Sequence, residues 1–410
     1  MRRARWFIVP ALALALIAAA CGDDNESSTS TATTAGGGTG TTAAGGGDSC
    51  KFDKSMKIIA LVEKPPEGPN AIPDFDEGFQ LALDDIGGTV CGQKLEYSRI
   101  PASPTDGNQA KNAYLQALDQ KPTINVGIPS GTPILSVAPE VAKAQIPFIY
   151  FSVTPQAFVG AANGVGSEWG FILRPRNTGI AQIQVDYITK DLGKKNIGLL
   201  CANIAFGTQG CDAAAKAIEA NGAKVVGREV NETTDTDLTA KVIALKNKNP
   251  DGILAFTFPN NLAVFYNQAA DNGLNVPIFG GSSAGLIVGT VKSNARANVW
   301  GTDDCVPASD AATKDWVAKY EKKFNKKMSG SGYAIAEAYD SIGMAVQAAK
   351  TANSLDPKKI ADQLRSQTYK GICETYKADP GQGLHHTTHV VQFDANGIAQ
   401  SKKKLEVPAS

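Results

Sequence analysis

The stretch Thr123–Pro155 reads TINVGIPSGTPILSVAPEVAKAQIPFIYFSVTP. TINVGI is a short, unbroken apolar run, the pattern of a strand buried on both faces. Pro133–Gln145 carries apolar residues at helical spacing, with Pro133 suited to the first helical position and Thr132 to the cap before it. PFIYFS is a second apolar run. Strand, helix and strand in succession form a β-α-β unit, which implies parallel strands with the helix packed across them.

The same rhythm extends in both directions. KIIALV (57–62) reads as a strand, and Asp76–Ile86 as a helix with Phe79, Leu81, Leu83 and Ile86 near one face. LEYSRI and the helix Gly107–Gln120 follow. After Arg174-Pro175-Arg176 the alternation restarts. Helix Thr178–Leu192 precedes strand NIGLLC, Thr208–Asn221 precedes KVVGREV, Asp237–Lys248 precedes DGILAFT, and Leu262–Asn272 precedes PIFGGS. The rest supplies a strand (NVWGTDD), helices Ala311–Asn325, Gly332–Ala352 and Pro357–Gln367, and a last strand (HVVQFD), too little for a third domain. The expected fold is α/β, with two Rossmann-like lobes built on parallel sheets and joined by a multi-strand hinge. The expected boundaries are 49–175 plus about 305–362 for lobe 1, and 176–304 plus about 363–410 for lobe 2.

The first 48 residues read differently. Arg2, Arg3 and Arg5 precede an apolar run, Phe7–Ala20, that falls short of the roughly 20 apolar residues of a membrane span. The pattern is that of a signal peptide over 1–20. Ala18-Ala19-Ala20-Cys21 is similar to a bacterial lipobox, with Ala18 where leucine is usual, and marks Cys21 for lipidation. Residues 21–48, rich in Gly, Ser and Thr, have no large apolar side chain and read as a disordered tether with a reach of roughly 30 Å. Lys+Arg and Asp+Glu balance at 40 each, and loss of the three leader arginines leaves a slightly acidic body with no nucleic-acid signature.

The phrases FDEGFQLALDDI (75–86), GIPSGTPILSVAPEVAKAQIPFIYFSVTP (127–155) and GYAIAEAYDSIGMAVQAAK (332–350), in this order and spacing, resemble the type I periplasmic solute-binding proteins. Among these the chain is similar to the branched-chain amino-acid (Leu/Ile/Val) binding family of ABC transporters, over Met56–Gly397. The resemblance implies a monomer that closes two lobes on a small-molecule solute and docks on an ABC permease at the outer face of the cell membrane. It implies no cofactor.

Strand C-termini and helix N-termini suit an anionic group. That singles out Ser130, Gly131 and Thr132 after TINVGI, and Ser152 and Thr154 after PFIYFS. By themselves Ser130 and Thr132 read equally as cap and turn residues. The resemblance gives these two loops the ligand's carboxylate and part of its ammonium. It also implies pocket roles for Phe206, in the loop after NIGLLC, and Phe258, after DGILAFT, although either ring could simply fill the core. The family usually carries an acid after the strand that here ends in Gly280-Gly281-Ser282. Ser282 cannot balance a buried ammonium, whose burial is costly without a counter-charge. This departure points away from a standard amino acid, or to weaker use of its amine, and leaves a carboxylate without an amine, an aromatic acid or an amide open.

With Cys21 lipidated, six cysteines remain, an even number that favours disulfides in an exported chain. Chain order suggests Cys50–Cys91, Cys201–Cys211 and Cys305–Cys373. All the histidines lie in His385–His389, where the flanks read as a loop entering a strand, and no metal site is expected. The adjacent pairs Asp84-Asp85 and Asp303-Asp304 read as solvated or capping residues. No nucleophile elbow, P-loop or zinc-protease motif occurs, so no enzyme is expected. A ligand-sensing receptor of the same fold remains the alternative to an importer component.

Overall fold

The computed structural model describes residues 50–68, 70–72, 74–153, 168–328 and 331–408. The leader, the tether, Cys21 and Thr154 lie outside these residues. In the first lobe the chain runs β1 (Met56–Leu61), α1 (Phe75–Ile86), β2 (Thr89–Val90), β3 (Gln93–Ile100), α2 (Gly107–Asp119), β4 (Ile124–Gly127), α3 (Gly131–Ala144), β5 (Phe148–Tyr150) and β6 (Gly170–Ile172). The sheet order is β2-β3-β1-β4-β5-β6, parallel except for the β2–β3 pair.

In the second lobe the chain runs α4 (Asn177–Asp186), β7 (Asn196–Ala202), α5 (Ala205–Ala220), β8 (Lys224–Asn231), α6 (Thr239–Lys246), β9 (Gly252–Phe256), α7 (Pro259–Asp271), β10 (Ile278–Phe279), α8 (Ser283–Ile287), α9 (Ser293–Arg296) and β11 (Val299–Asp303). It then returns to the first lobe with α10 (Ala311–Phe324), α11 (Tyr333–Ala352), α12 (Pro357–Ser366) and the hairpin β12 (Thr368–Lys370) and β13 (Thr375–Lys377). Strands β14 (Thr387–Phe393) and β15 (Ala399–Glu406) complete the second sheet, ordered β15-β14-β11-β10-β9-β7-β8, with these last two antiparallel. Leu364, Tyr376 and Leu384 pack in the first lobe's core, so the segment from 363 to 384 lies with that lobe rather than with the second.

Packing explains the pattern. Strands β4, β5, β7 and β9 are buried almost throughout, as expected of parallel strands covered on both faces. Helix α1 buries Phe75, Phe79 and Leu81, each worth about 1.5–3 kcal/mol. It packs tightly on α11 because Gly78 has no side chain. A Cβ there would sit 2.2 Å from the Ile335 carbonyl oxygen.

The chain crosses between lobes after β6, after β11 and before β14. Arg174 and Arg176 lie on the first crossing. Arg174 pairs with Asp304 of the second, and Arg176 with Asp379, in the segment that leads to the third, at 2.8 Å. Thr388 Oγ1 donates to Asp304 Oδ1 at 3.0 Å, joining the third crossing to the second. The six cysteines pair as Cys50–Cys91, Cys201–Cys211 and Cys305–Cys373. The last of these ties the second crossing to the turn between β12 and β13.

Candidate functional site

In both lobes the strand order reverses beside the first strand, at β1/β4 and at β7/β9. Ligands of open α/β sheets bind outside the carboxyl ends of the strands at such points. There the loops of the two lobes enclose a small cavity of about 40 Å³. The first lobe contributes Ile72, Pro129, Ser130, Val153 and Tyr333, and the second Phe206, Thr257, Phe258, Pro259, Ser282 and Ser283. Arg174 enters from the hinge.

Each wall has a local cause. Ser130 is the extended N-cap residue of α3, which begins at Gly131, two residues earlier than expected. Ser130 is 3 % exposed, and its Oγ has no hydrogen-bond partner among the described residues. Thr132 is therefore not the cap. It lies within the first turn, where its Oγ1 accepts from the Ala205 backbone N–H at 3.3 Å and bridges the two lobes. Gly131 and Ser152 are buried but do not line the cavity.

Phe206 lies not in a loop, as expected, but in the first turn of α5, which starts at Ala205. Thr208 Oγ1 donates to the carbonyls of Ile204 and Ala205 and winds that turn. Gly207 lets it approach β7, since a Cβ there would lie 2.2 Å from the Ala202 oxygen. The Cys201–Cys211 disulfide clamps the same segment. Phe258 precedes α7, whose first residue is Pro259, the position proline favours. The Phe206 and Phe258 rings meet edge to face with centroids 6.4 Å apart.

Ser282 lines the cavity where the family's acid was sought, and its Oγ accepts from Arg174 Nη2 at 2.7 Å. Arg174 carries no local sequence signal that marks it for the site. Its guanidinium lies 4.1 Å from the Tyr333 ring centroid. Nε and Nη2 donate to Asp304 Oδ2 at 3.0 and 2.6 Å. Glu337 Oε1 lies 2.8 Å from Nε without hydrogen-bond geometry. Nη1 has no hydrogen-bond partner among the described residues.

Asp303 and Asp304 are thus not solvated, as the sequence suggested, but buried at 1 % and 3 % exposure. Asp303 ends β11 and Asp304 follows it, and the carboxyl end of an interior strand points into the hinge rather than to solvent. Burial pushes the Asp303 carboxyl up to about 8, against the pull of the Cys305 N–H, with Asp304 adding to the rise. Burial also drives Glu337 well above the usual carboxylate range, in spite of Arg174. For Arg174 burial opposes the charge, but Glu337 and Asp304 outweigh it and hold the guanidinium above its ordinary value.

His385 is buried against Tyr376, and burial lowers its pKa. Among the described residues no group of three His, Cys, Asp or Glu side chains is placed to hold a metal.

Known proteins agree with this architecture. A Leu/Ile/Val-binding protein homologue of Brucella abortus is 22% identical over 311 residues, covering 70% of this chain and 74% of that protein. The substrate-binding protein of a branched-chain amino acid transporter from Streptococcus pneumoniae, solved with isoleucine, superposes with a TM-score of 0.75 at 20% identity, covering 86% of this chain and 99% of that one. An ABC transporter solute-binding protein of R. palustris, solved with 4-hydroxybenzoate, gives 0.75 at 17% identity, with 86% and 98% covered. The family model for periplasmic binding proteins matches residues 66–398, and the chain belongs to that family.

Proposed function

We propose that the chain is the substrate-binding component of an ABC importer, held at the outer face of the cell membrane by a lipid on Cys21. It would work as a monomer, capturing a small amino-acid-like, carboxylate or amide solute by hinge closure and delivering it to the permease. The observation that carries this reading is the cavity between the lobes, with Ser130 Oγ buried and unpartnered in its wall. Contacts from both lobes are what a ligand needs in order to favour the closed form, because equal contacts in both forms shift nothing. Ser130, Phe206, Phe258 and Ser282 are the proposed ligand residues. Thr132 is assigned to closure. Relatives solved with isoleucine and with 4-hydroxybenzoate support either an amino acid or an aromatic acid as the solute class.

Thermal shift of the full chain against amino acids, amides, and aliphatic and aromatic acids tests the binding role. A saturating solute stabilises by about 2.7 kcal/mol at 100-fold excess over Kd. Stabilisation by any member supports the reading, and silence across the panel refutes it. For the anchor, Cys21→Ala should free the protein from membranes, and continued membrane association counts against lipidation.

A further inference from the structure

The residues lining the cavity divide sharply by chemistry. Arg174 is the one charged side chain among them. Ile72, Pro129, Val153, Phe206, Phe258, Pro259 and Tyr333 supply apolar surface, and the other polar groups are hydroxyls. Among the described residues no carboxylate lines the cavity. The internal stretch 154–167, TPQAFVGAANGVGS, contains no Asp or Glu that could supply one.

We propose that the cleft takes a monocarboxylic acid with an apolar or aromatic body and no α-ammonium. Its carboxylate is held by Arg174 and Ser130, and its body lies among Phe206, Phe258 and Tyr333. The proposal rests on the reading of the cleft as the solute site and narrows it to one chemical class.

Four features converge on it. Arg174 Nη1 keeps its two N–H groups uncommitted, while Nε and Nη2 are spent on Asp304 and Ser282. Those bonds fix the plane of the guanidinium and leave Nη1 as the donor for a carboxylate oxygen, a charge-assisted hydrogen bond. Ser130 Oγ is a second buried donor in the same wall, still without a partner. Helices α7 and α11 begin at the cavity-lining residues Pro259 and Tyr333, and α3 and α5 begin next to the lining residues Ser130 and Phe206, so their positive ends add to the field there.

The position where the family would balance an ammonium is taken by Ser282, and Ser282 is bonded to the guanidinium itself. An ammonium placed there would meet a cation instead of a carboxylate. Asp304 and Glu337 do not offset this, because they already engage Arg174 and do not line the cavity.

The decisive experiment is calorimetric titration of the full chain with three matched probes. 3-Phenylpropanoate is compared with L-phenylalanine, which adds only the α-ammonium, and with 3-phenylpropanamide, which removes only the charge. 4-Hydroxybenzoate and L-isoleucine extend the set. One charge-assisted hydrogen bond is worth about tenfold in affinity, so the acid should bind at least about tenfold tighter than either partner. Ser130→Ala should weaken the acid by about tenfold and leave the amide little changed. Arg174→Lys keeps the charge beside Asp304 while losing the planar fork, and should weaken the acid further.

Phenylalanine or isoleucine binding as tightly as the acids overturns the proposal while leaving the solute-binding role intact. Equal affinity for acid and amide overturns it as well, as does unchanged acid affinity in both variants. Failure of every acid to bind at millimolar concentration overturns it too, and the broader panel then decides whether the solute-binding role survives.

Discussion

Asp303→Asn provides a quantitative test of the buried charge cluster. Asp303 ends β11 and faces Asp304, Arg174, Tyr333, Glu337 and the Ser331 hydroxyl. Its Oδ1 accepts from the Cys305 N–H at 3.0 Å, and asparagine can keep that bond. Burial lifts its pKa from 3.8 to about 8. The folded protein therefore keeps a proton that the unfolded chain releases, so stability falls as pH rises between these two values. One retained proton contributes a slope of about 1.4 kcal/mol per pH unit. From about pH 5.5 to about pH 7.5 the wild-type protein should lose roughly 3 kcal/mol relative to Asp303→Asn, which has nothing to titrate there. Urea unfolding of both proteins across this range gives the double difference directly, and Asp340, whose pKa burial also raises without a contribution from Asp303, cancels in it. A difference between variant and wild type that stays flat with pH would show that Asp303 is ionised in the folded state and that the argument from burial is wrong.

Other residues give sharper local tests. Thr132→Val keeps the shape of the side chain but removes the bridge to Ala205, so ligand affinity should drop by about 0.5–1.5 kcal/mol with little change in ligand-free stability; an equal loss of stability in the ligand-free protein would argue that the bond is merely structural. Gly207→Ala places a Cβ against the Ala202 backbone and should cost about 1–3 kcal/mol while displacing Phe206. Unchanged unfolding midpoint and affinity would refute that packing argument. Denaturing alkylation without reductant should label none of Cys50, Cys91, Cys201, Cys211, Cys305 and Cys373, and any label on them breaks the pairing.

The parts of this fold that were legible in the sequence are those governed by local periodicity. TINVGI, NIGLLC and DGILAFT announce themselves because a parallel strand covered on both faces needs an unbroken apolar run. AQSKKKLE, which forms β15, does not. It is an exposed edge strand, and its lysines serve to discourage pairing with another chain rather than to fill a core. The β12–β13 hairpin is similarly silent, because TYK beside TYK carries too few residues to show a period. Helix starts were misjudged where the first turn is held by non-local packing. Gly207 allows α5 to begin beside β7, and nothing in AFGTQG reports how close β7 will be.

The site was legible to the same depth. Ser130, Phe206, Phe258 and Ser282 could be placed at the cavity because they follow strands, and strand C-termini mark the cleft. Arg174 follows a strand too, but its partners are 130 residues away at Asp304 and 163 away at Glu337. No window of sequence brings them together. What the chain does display is Arg-Pro-Arg at the first crossing, with Arg174 committed to the second crossing and Arg176 to the segment that leads to the third. The proline fixes the backbone between them. That arrangement gives a physical reason for ligand and hinge to be linked. A group bound to Arg174 acts on the same guanidinium that ties the first crossing to the second, so its binding energy is delivered where the lobes pivot. A ligand held only by Phe206 and Phe258 would touch one lobe and could not favour closure; one that also reaches Ser130 and Arg174 spans both lobes and the hinge at once.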